Sequence, residues 1–200
     1  MALTITHRIA GPAAAFGALA VLASRTRGEG GLARADRVAF ENVRARRSRA
    51  GIMVAQAVSA LAEPAVVYPV LGIAGAGAAQ RIGWRRAFTP CLVVAVGAAA
   101  RRKLSRVIAR PRPPADAWLT VPDGYSLPSK HTTLAVLAVG SCARALGRPG
   151  AVSAATPLLT ATAVGASRVY LGVHWPADVI AGWLFAEGWL CLVGPGRRAA

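Results

Sequence analysis

Apolar residues in this chain gather in long runs, and they do not alternate with charges as on an amphipathic helix. Six runs follow one another, and short polar stretches rich in Arg separate them. They cover residues 9–24, 51–79, 87–100, 132–146, 151–166 and 175–193. A membrane helix needs roughly 20 apolar residues, and flanking Arg and Trp side chains let shorter runs cross as well. The pattern predicts an all-α, polytopic membrane helix bundle with about six transmembrane helices.

Two of these runs depart from a simple span. The run 9–24 is short and rich in Ala and Gly, so it is either the first transmembrane helix or an interfacial helix. The run 51–79 is longer than a span requires, and Glu63 followed by Pro64 predicts a kink near its middle. Glu63 either hydrogen-bonds within the bundle or lies on a substrate path. We favour the first interpretation, because no motif supports the second.

The composition agrees with a single integral-membrane domain over residues 1–200. Hydrophobic residues make up 54% of the chain, and no long polar linker or internal repeat divides it. All three cysteines lie inside apolar runs and lack CxxC spacing, so they are interpreted as buried apolar side chains. The multi-pass pattern indicates the cell membrane as the location. The oligomeric state cannot be read from the sequence.

A net charge of +16 suggests nucleic-acid binding, but the positive residues are not distributed as in a nucleic-acid-binding protein. Arg residues cluster at the ends of the apolar runs and in the segment 25–49, and no nucleic-acid-binding motif lies between them. Anionic membrane lipids are therefore the expected partner, and nucleic acid is not. The segment 25–49 is predicted to be a basic loop or an interfacial helix.

Three polar blocks interrupt the apolar runs. They are KLSRVIARP at 103–111, PSKH at 128–131 and SRVYLGVHWPAD at 167–178. Each block lies at an end of a predicted membrane helix. If the chain crosses the membrane once with each of the last runs, all three blocks share one face. This conclusion does not depend on the uncertain first run.

The spacing within the blocks has a physical meaning. Lys103 and Arg110 are seven residues apart, so on a helix both cations point the same way. His174 and Asp178 are four residues apart at a helix start, where the carboxylate accepts a hydrogen bond from one imidazole nitrogen and leaves the other free. That is the geometry of a nucleophile and the group that orients it.

The second block begins a helix. His131 closely follows Ser129 at the start of the fourth run, where unpaired backbone N–H groups favour an anion. Together the blocks hold cations, two histidines and one carboxylate, which is the set that phosphoryl transfer requires. Only eight acidic residues occur in the chain, without a carboxylate cluster or an HExxH motif. We therefore predict no metal and no other cofactor.

At these residues the sequence resembles the type 2 phosphatidic acid phosphatase family, whose signature is K-x6-RP, PSGH and SR-x5-H-x3-D. The first and third parts match with every spacing kept, at Lys103, Arg110, Pro111, Ser167, Arg168, His174 and Asp178. The second part has Lys130 where the family usually has Gly. The resemblance covers about residues 84–193, the signature-bearing core.

The resemblance implies a role for each residue. His174 attacks phosphorus and forms a phosphohistidine, while Asp178 holds its ring. His131 protonates the leaving oxygen and later activates the water that releases phosphate. The phosphoryl oxygens are bound by the other signature residues: Lys103, Arg110, Ser129, Lys130 and Arg168. Ser167 supports the site.

The substrate implied is a lipid-linked phosphate whose tail stays in the membrane. Candidates are phosphatidate, phosphatidylglycerol phosphate, polyprenyl phosphate or diphosphate, and a polyprenyl-linked sugar phosphate. Lys130 adds a cation, and we interpret it as favouring a more highly charged substrate. Sixteen of the 24 Lys and Arg residues lie on the face of the three blocks, which favours a cytoplasmic site. Many relatives act on the outer face, so the side stays open.

Two other functions share these residues. Vanadium-dependent haloperoxidases resemble the same signature and bind vanadate in place of phosphate, but they are soluble, which six apolar runs argue against. A non-catalytic lipid-binding membrane protein that retains the signature residues is the other alternative.

Overall fold

The computed structural model describes residues 2–147 and 150–194, with side chains described for 10–147 and 155–194. The described residues form eight α-helices and one short 3-10 helix at Ala115–Ala117, with no β-strand among them. The helices are α1 (Ala2–Arg25), α2 (Gly31–Ala45), α3 (Arg49–Ala60), α4 (Pro64–Ile82), α5 (Trp84–Ile108), α6 (Lys130–Ala145), α7 (Gly150–Tyr170) and α8 (Pro176–Val193). The predicted all-α class is confirmed.

The long apolar run 51–79 folds as two helices. Helix α3 ends at Ala60, and α4 begins at Pro64 after a short turn. The proline ring fixes φ and lacks an N–H, which suits the first position of a helix, where the N–H would have no partner. The expected single kinked helix is therefore wrong: the Glu63–Pro64 step starts a new helix.

Helix α6 occupies the middle of the bundle and packs against α5, α7 and α8, while α1 packs along α8. The largest apolar cluster includes Val94, Val136, Leu137 and Leu190, each at most 1% exposed. Close packing of such side chains stabilises a helix bundle through van der Waals contacts. This core holds the polar ends of α5, α6, α7 and α8 at fixed positions.

The three polar blocks meet at one end of the bundle, where α5 and α7 end and α6 and α8 begin. The Ser129 N–H donates to the Asp178 carbonyl at 2.9 Å, which joins the second block to the third. The first block is joined to the third by Arg110, which contacts the Asp178 side chain. We call this end of the bundle the polar end.

Helices α2 and α3 lie against the polar end. Phe40 of α2 is fully buried and packs edge-on against Trp175, with ring centroids 5.1 Å apart. On the α3 side, the Ser48 N–H donates to the Tyr170 hydroxyl at 2.8 Å. The basic segment 25–49 is thus largely helical, with Ala33, Asp36 and Phe40 on its buried face.

By length and composition, two helices in the described ranges are able to span a membrane: α4 and α8. Residues Ala10–Arg25 form a shorter apolar helix. Only two of the six predicted crossings therefore meet this criterion. Large apolar side chains are nevertheless exposed along the outer surfaces of α4, α5 and α7, among them Val70, Ile73, Leu92, Val96 and Leu159.

Candidate active site

His174 lies in the loop that joins α7 to α8, and Asp178 lies in the first turn of α8. The His174 Nδ1 is 3.3 Å from Asp178 Oδ2, and the Trp175 N–H donates to the same oxygen at 2.8 Å. A carboxylate in this position accepts an N–H that the helix leaves unpaired, so Asp178 is held in place. Its oxygen then receives the His174 Nδ1–H and leaves Nε2 unprotonated.

The loop reaches this geometry through a left-handed residue. Gly172 has φ of +80°, and a Cβ there would lie 2.0 Å from the Ala117 carbonyl oxygen. The Leu119 N–H also donates to the Leu171 carbonyl at 2.9 Å, so the loop rests on the segment that follows the 3-10 helix. Only glycine fits both the conformation and the space. The position of His174 therefore depends on this turn.

Burial sets the charge of His174. The residue is 1% exposed, and this burial lowers its pKa to about 4, although the Asp178 carboxylate raises it. A low-dielectric site disfavours the imidazolium form. His174 is thus neutral near pH 7, and its Nε2 is unprotonated, as a histidine nucleophile requires.

Arg112 lies beside the His174 Nε2. Its Nη1 lies 3.3 Å from His174 Nε2 and donates to the Val173 carbonyl at 2.7 Å. The rest of the guanidinium donates to the carbonyls of Asp123, Gly124 and Tyr125 at 2.6–3.1 Å. These bonds aim Arg112 at the place where a phosphoryl group would meet His174. The sequence prediction missed this residue, although it belongs to the second of two Arg-Pro pairs in ARPRPP.

Arg110, predicted to bind phosphate, lies between two carboxylates. Its Nη1 donates to Asp178 Oδ1 and its Nη2 to Asp36 Oδ2, both at 2.6 Å. All three side chains are at most 7% exposed. Both ends of the guanidinium are occupied by carboxylates, so Arg110 holds the Asp178 and Asp36 side chains in place by charge-assisted hydrogen bonds.

Lys103 does not join this cluster. Helix α5 ends at Ile108, and Ala109 is left-handed with φ of 52°, so Arg110 lies beyond the helix. The prediction that Lys103 and Arg110 share one helix face is therefore wrong. Lys103 is exposed, whereas Arg101 and Ser105 of the same helix are buried.

Asp36 was not predicted as a site residue. It lies in α2, and its Oδ1 accepts the Ala177 N–H at 2.8 Å while Oδ2 accepts Arg110. Burial raises the pKa of Asp36, and the bonds from Arg110 and Ala177 oppose this rise. Asp36 thus caps α8 from another helix. The only signal in the sequence is a rare acidic residue within a basic segment.

His131 forms a second histidine–carboxylate pair, with Glu63. The His131 Nε2 lies 2.7 Å from Glu63 Oε1 across the start of α4 and α6. Burial alone would raise the pKa of Glu63, but the bond to His131 and nearby cations lower it overall. Glu63 is hydrogen-bonded within the bundle, as we favoured, but its partner is a predicted catalytic residue. The His131 Nδ1 is buried and has no partner among the described residues.

Arg168 lies near the end of α7, where it is 3% exposed. Its Nη1 donates to Ser59 Oγ at 2.6 Å, and its Nε is buried without a partner among the described side chains. The positive charge of Arg168 acts on both His131 and His174. Buried polar atoms without a partner are rare in proteins, so those of Arg168 and His131 point to a ligand.

The remaining predicted residues surround the start of α6. Ser129 is fully buried and accepts a hydrogen bond from Thr132 Oγ1 at 3.1 Å. Lys130 follows it, and its Nζ pairs with Asp123 Oδ1 at 2.9 Å. Ser167 is buried in α7 and donates to the Val164 carbonyl at 2.6 Å. Within the described ranges, no group of three His, Cys, Asp or Glu side chains could hold a metal ion.

This arrangement has the parts of a phosphoryl-transfer site. One neutral histidine is oriented by a carboxylate, a second histidine is paired with another carboxylate, and two arginines lie beside them. The first turn of α6 adds backbone N–H groups, which bind anions at a helix N-terminus. The set can supply a nucleophile, an acid and the positive charge that stabilises phosphoryl oxygens.

Comparisons with known proteins agree with this geometry. The family model of the PAP2 superfamily matches residues 86–196. The chain is 34% identical over 144 residues to the decaprenylphosphoryl-5-phosphoribose phosphatase of Mycolicibacterium smegmatis. This match covers 67% of this chain and 73% of that protein. The chain is 41% identical over 66 residues to the undecaprenyl-diphosphatase of Sulfolobus acidocaldarius, and this match spans 33% of the chain and about a third (31%) of that relative.

A solved structure shows the same fold. The crystal structure of the transmembrane PAP2-type phosphatidylglycerolphosphate phosphatase from Bacillus subtilis superimposes with a TM-score of 0.78 at 25% sequence identity. The match covers 92% of both chains. Together these findings confirm the predicted family and its enzyme class, the lipid phosphate phosphatases. They also identify a membrane protein. The chain therefore belongs to the PAP2 superfamily.

Proposed function

We propose that this protein is a multi-pass phosphatase of the cell membrane that hydrolyses a polyprenyl-linked phosphate through a phosphohistidine, without a metal ion. One observation carries the proposal: the His174 Nε2 faces Arg112 at 3.3 Å, while Nδ1 is held by Asp178. The pair is buried, so the imidazole is neutral and its reactive nitrogen points at a cation that would bind phosphate.

The reaction has two steps. In the first, His174 Nε2 attacks phosphorus, the bond from phosphorus to the leaving oxygen breaks, and His131 gives that oxygen a proton. In the second, His131 takes a proton from water, the hydroxide attacks phosphorus, and the bond to His174 breaks. Inorganic phosphate leaves, and both histidines return to their first state.

The phosphoryl oxygens are bound by Arg112, Arg168 and the first turn of α6, where Ser129 and the Lys130 N–H lie. We assign this role to Arg112 instead of Arg110, because Arg112 Nη1 lies at His174 Nε2 and a bound phosphoryl oxygen would take the place of that contact. Both ends of the Arg110 guanidinium are on carboxylates. Preorganised donors of this kind stabilise the charge that develops on the oxygens in the transition state. Ser167 stays a supporting residue inside α7.

We propose that α1 and α4 to α8 cross the membrane, and that α2 and α3 lie on its surface at the polar end. Five of the six apolar runs each fall on one proposed crossing, and the run 51–79 is divided between α3 and the crossing α4. The exposed Val70, Ile73, Leu92 and Leu159 side chains support this arrangement, because surfaces of this kind are rarely left in water.

The substrate proposal is a polyprenyl chain that carries a phosphate or a sugar phosphate. Its support is the relative from Mycolicibacterium smegmatis, whose name gives decaprenylphosphoryl-5-phosphoribose as substrate and whose length is matched over 73%. The undecaprenyl-diphosphatase has a prenyl substrate as well, by its name.

A substrate panel tests the proposal. The purified protein in lipid nanodiscs, with EDTA present, is assayed for phosphate release from a polyprenylphosphoryl-5-phosphoribose, a polyprenyl diphosphate, phosphatidylglycerol phosphate and phosphatidate. We expect the highest kcat/KM on the two prenyl substrates. Release from phosphatidate alone would contradict the prenyl assignment, and release from none of the four would contradict the phosphatase. Glucose 6-phosphate is the control without a lipid tail.

We expect Glu63→Gln to lower kcat/KM by about 10-fold, because His131 loses the carboxylate that orients it and favours its protonated form. The direction of the change in pH dependence follows from the loss of the Glu63 negative charge. The acid needs a protonated imidazole, and removing the anion makes protonation harder, so the basic limb of the kcat/KM profile moves to lower pH. The measurement is a pH profile of wild type and variant on one substrate.

Glu29→Gln is the matched control, since it makes the same chemical change at an exposed residue. This variant should keep the rate and the pH profile of the wild type. A Glu63→Gln profile that falls in rate but does not shift would show that Glu63 acts only on the fold.

A further inference from the structure

A basic cavity lies at the polar end, beside the proposed catalytic residues. It has a volume of about 400 Å³, and its lining includes Arg101, Arg102, Arg106 and Lys130, together with Asp123 and Tyr125. The first three side chains belong to the last turns of α5, and the others belong to the loop before α6 and its first residue. Four cations against one carboxylate make this cavity strongly positive.

Not all of this charge is used within the protein. Lys130 pairs with Asp123 at 2.9 Å, and Arg101 is 8% exposed and donates to the Pro128 carbonyl. Arg102 and Arg106 are exposed and form no hydrogen bond or ion pair with any described residue. Two guanidinium groups are therefore available to an anion, and guanidinium groups bind phosphate with matched geometry.

The cavity and the catalytic residues share one loop. The carbonyls of Asp123, Gly124 and Tyr125 hold Arg112 beside His174, and the side chains of Asp123 and Tyr125 line the cavity. Lys130 also belongs to both places, because its side chain lines the cavity and its backbone begins α6 after Ser129. A substrate at His174 would thus have its neighbouring groups close to this cavity.

We propose that the cavity binds a second phosphate group of the substrate, one that is not hydrolysed, while the scissile phosphate lies at His174. This inference rests on the proposed function. It specifies the substrate as one with two separated phosphates, such as a phosphodiester that joins the lipid to a phosphorylated sugar. Arg102 and Arg106 bind the phosphodiester, and Tyr125 at 45% exposure offers an aromatic face to the sugar.

The experiment compares two substrates with the same prenyl chain: polyprenylphosphoryl-5-phosphoribose, with two phosphates, and polyprenyl monophosphate, with one. The test variant carries Arg102→Ala and Arg106→Ala together. Its matched control is Arg81→Ala, an exposed cation in the last turn of α4, at the opposite end of the bundle from the polar end. Each protein is assayed in neutral and in anionic nanodiscs.

We expect the double variant to lose at least about 10-fold in kcat/KM on the two-phosphate substrate, mainly through KM, as removal of charge-assisted bonds does. The rate on the one-phosphate substrate should stay within about two-fold, as for a surface substitution. Arg81→Ala should change neither rate.

Each other outcome overturns the inference. An equal loss on both substrates assigns the arginines to the fold, and an equal loss seen only in anionic nanodiscs assigns them to bulk lipid headgroups. No loss on either substrate shows that the cavity does not bind substrate. Wild type that hydrolyses neither substrate refutes the proposed function and the cavity with it, whereas wild type that hydrolyses only the monophosphate refutes the cavity alone.

Discussion

Replacement of His174 by alanine is expected to lower phosphate release by at least about 10⁴-fold, because it removes the nucleophile itself. The structure gives no other histidine the same surroundings in its described part. His131 has its carboxylate on Nε2, from a different helix, and it lies at the start of α6. The loss should therefore appear in kcat and should not be recovered at high substrate concentration.

Labelling separates the nucleophile from the acid. A substrate with a good leaving group and ³²P in its phosphate needs little help from His131 in the first step. On mixing and quenching in alkali, which preserves phosphohistidine, the His131→Ala variant should accumulate label, because activation of water fails. The His174→Ala variant should take up none. Label that persists in His174→Ala would refute the phosphohistidine at this position.

The second large effect is expected at Arg112. Arg112→Ala should lower kcat/KM by about 10²- to 10³-fold, the size seen when one preorganised donor to a transition-state oxygen is removed. Lys103→Ala should stay within about two-fold of wild type, since its side chain is exposed and does not share the buried face of α5. Rates of the two variants on the same prenyl substrate provide the measurement.

Arg112 also holds the loop 123–125, so a loss of activity alone is open to a structural explanation. The Arg112→Lys variant, with its thermal unfolding midpoint measured beside that of wild type, separates a loss of activity from a loss of structure. Lysine keeps the charge but cannot make the forked bonds, so activity should fall while a folded protein remains. Equal losses at Lys103 and Arg112 would refute our assignment. They would instead support phosphate binding by Lys103 and Arg110, as the K-x6-RP motif predicts.

The helical class and the meeting of the polar blocks could be predicted because they depend on local patterns. Apolar runs indicate helices, and the helix order places the blocks at one end. The His174–Asp178 pair was also local, since the two residues are four positions apart around the start of α8. The departure at Lys103 comes from a local error. Helix α5 was expected to continue through Arg110, and it ends at Ile108.

Asp36 and Glu63 could not be predicted in the same way. Their contacts with Arg110 and His131 join residues 74 and 68 positions apart, and no spacing rule links them. A buried carboxylate in an apolar or basic segment only signals that a partner exists. Which partner it has depends on how α2 and α4 pack against the polar end.

The capping of α8 by Asp36 has a consequence for protein dissection. The family match begins at residue 86, so a fragment restricted to 86–196 would contain every signature residue. It would lack Asp36, Ser59 and Glu63, which bind Arg110, Arg168 and His131. We therefore expect a fragment limited to the family match to lose activity, because the N-terminal helices supply carboxylate and hydroxyl partners for three signature side chains.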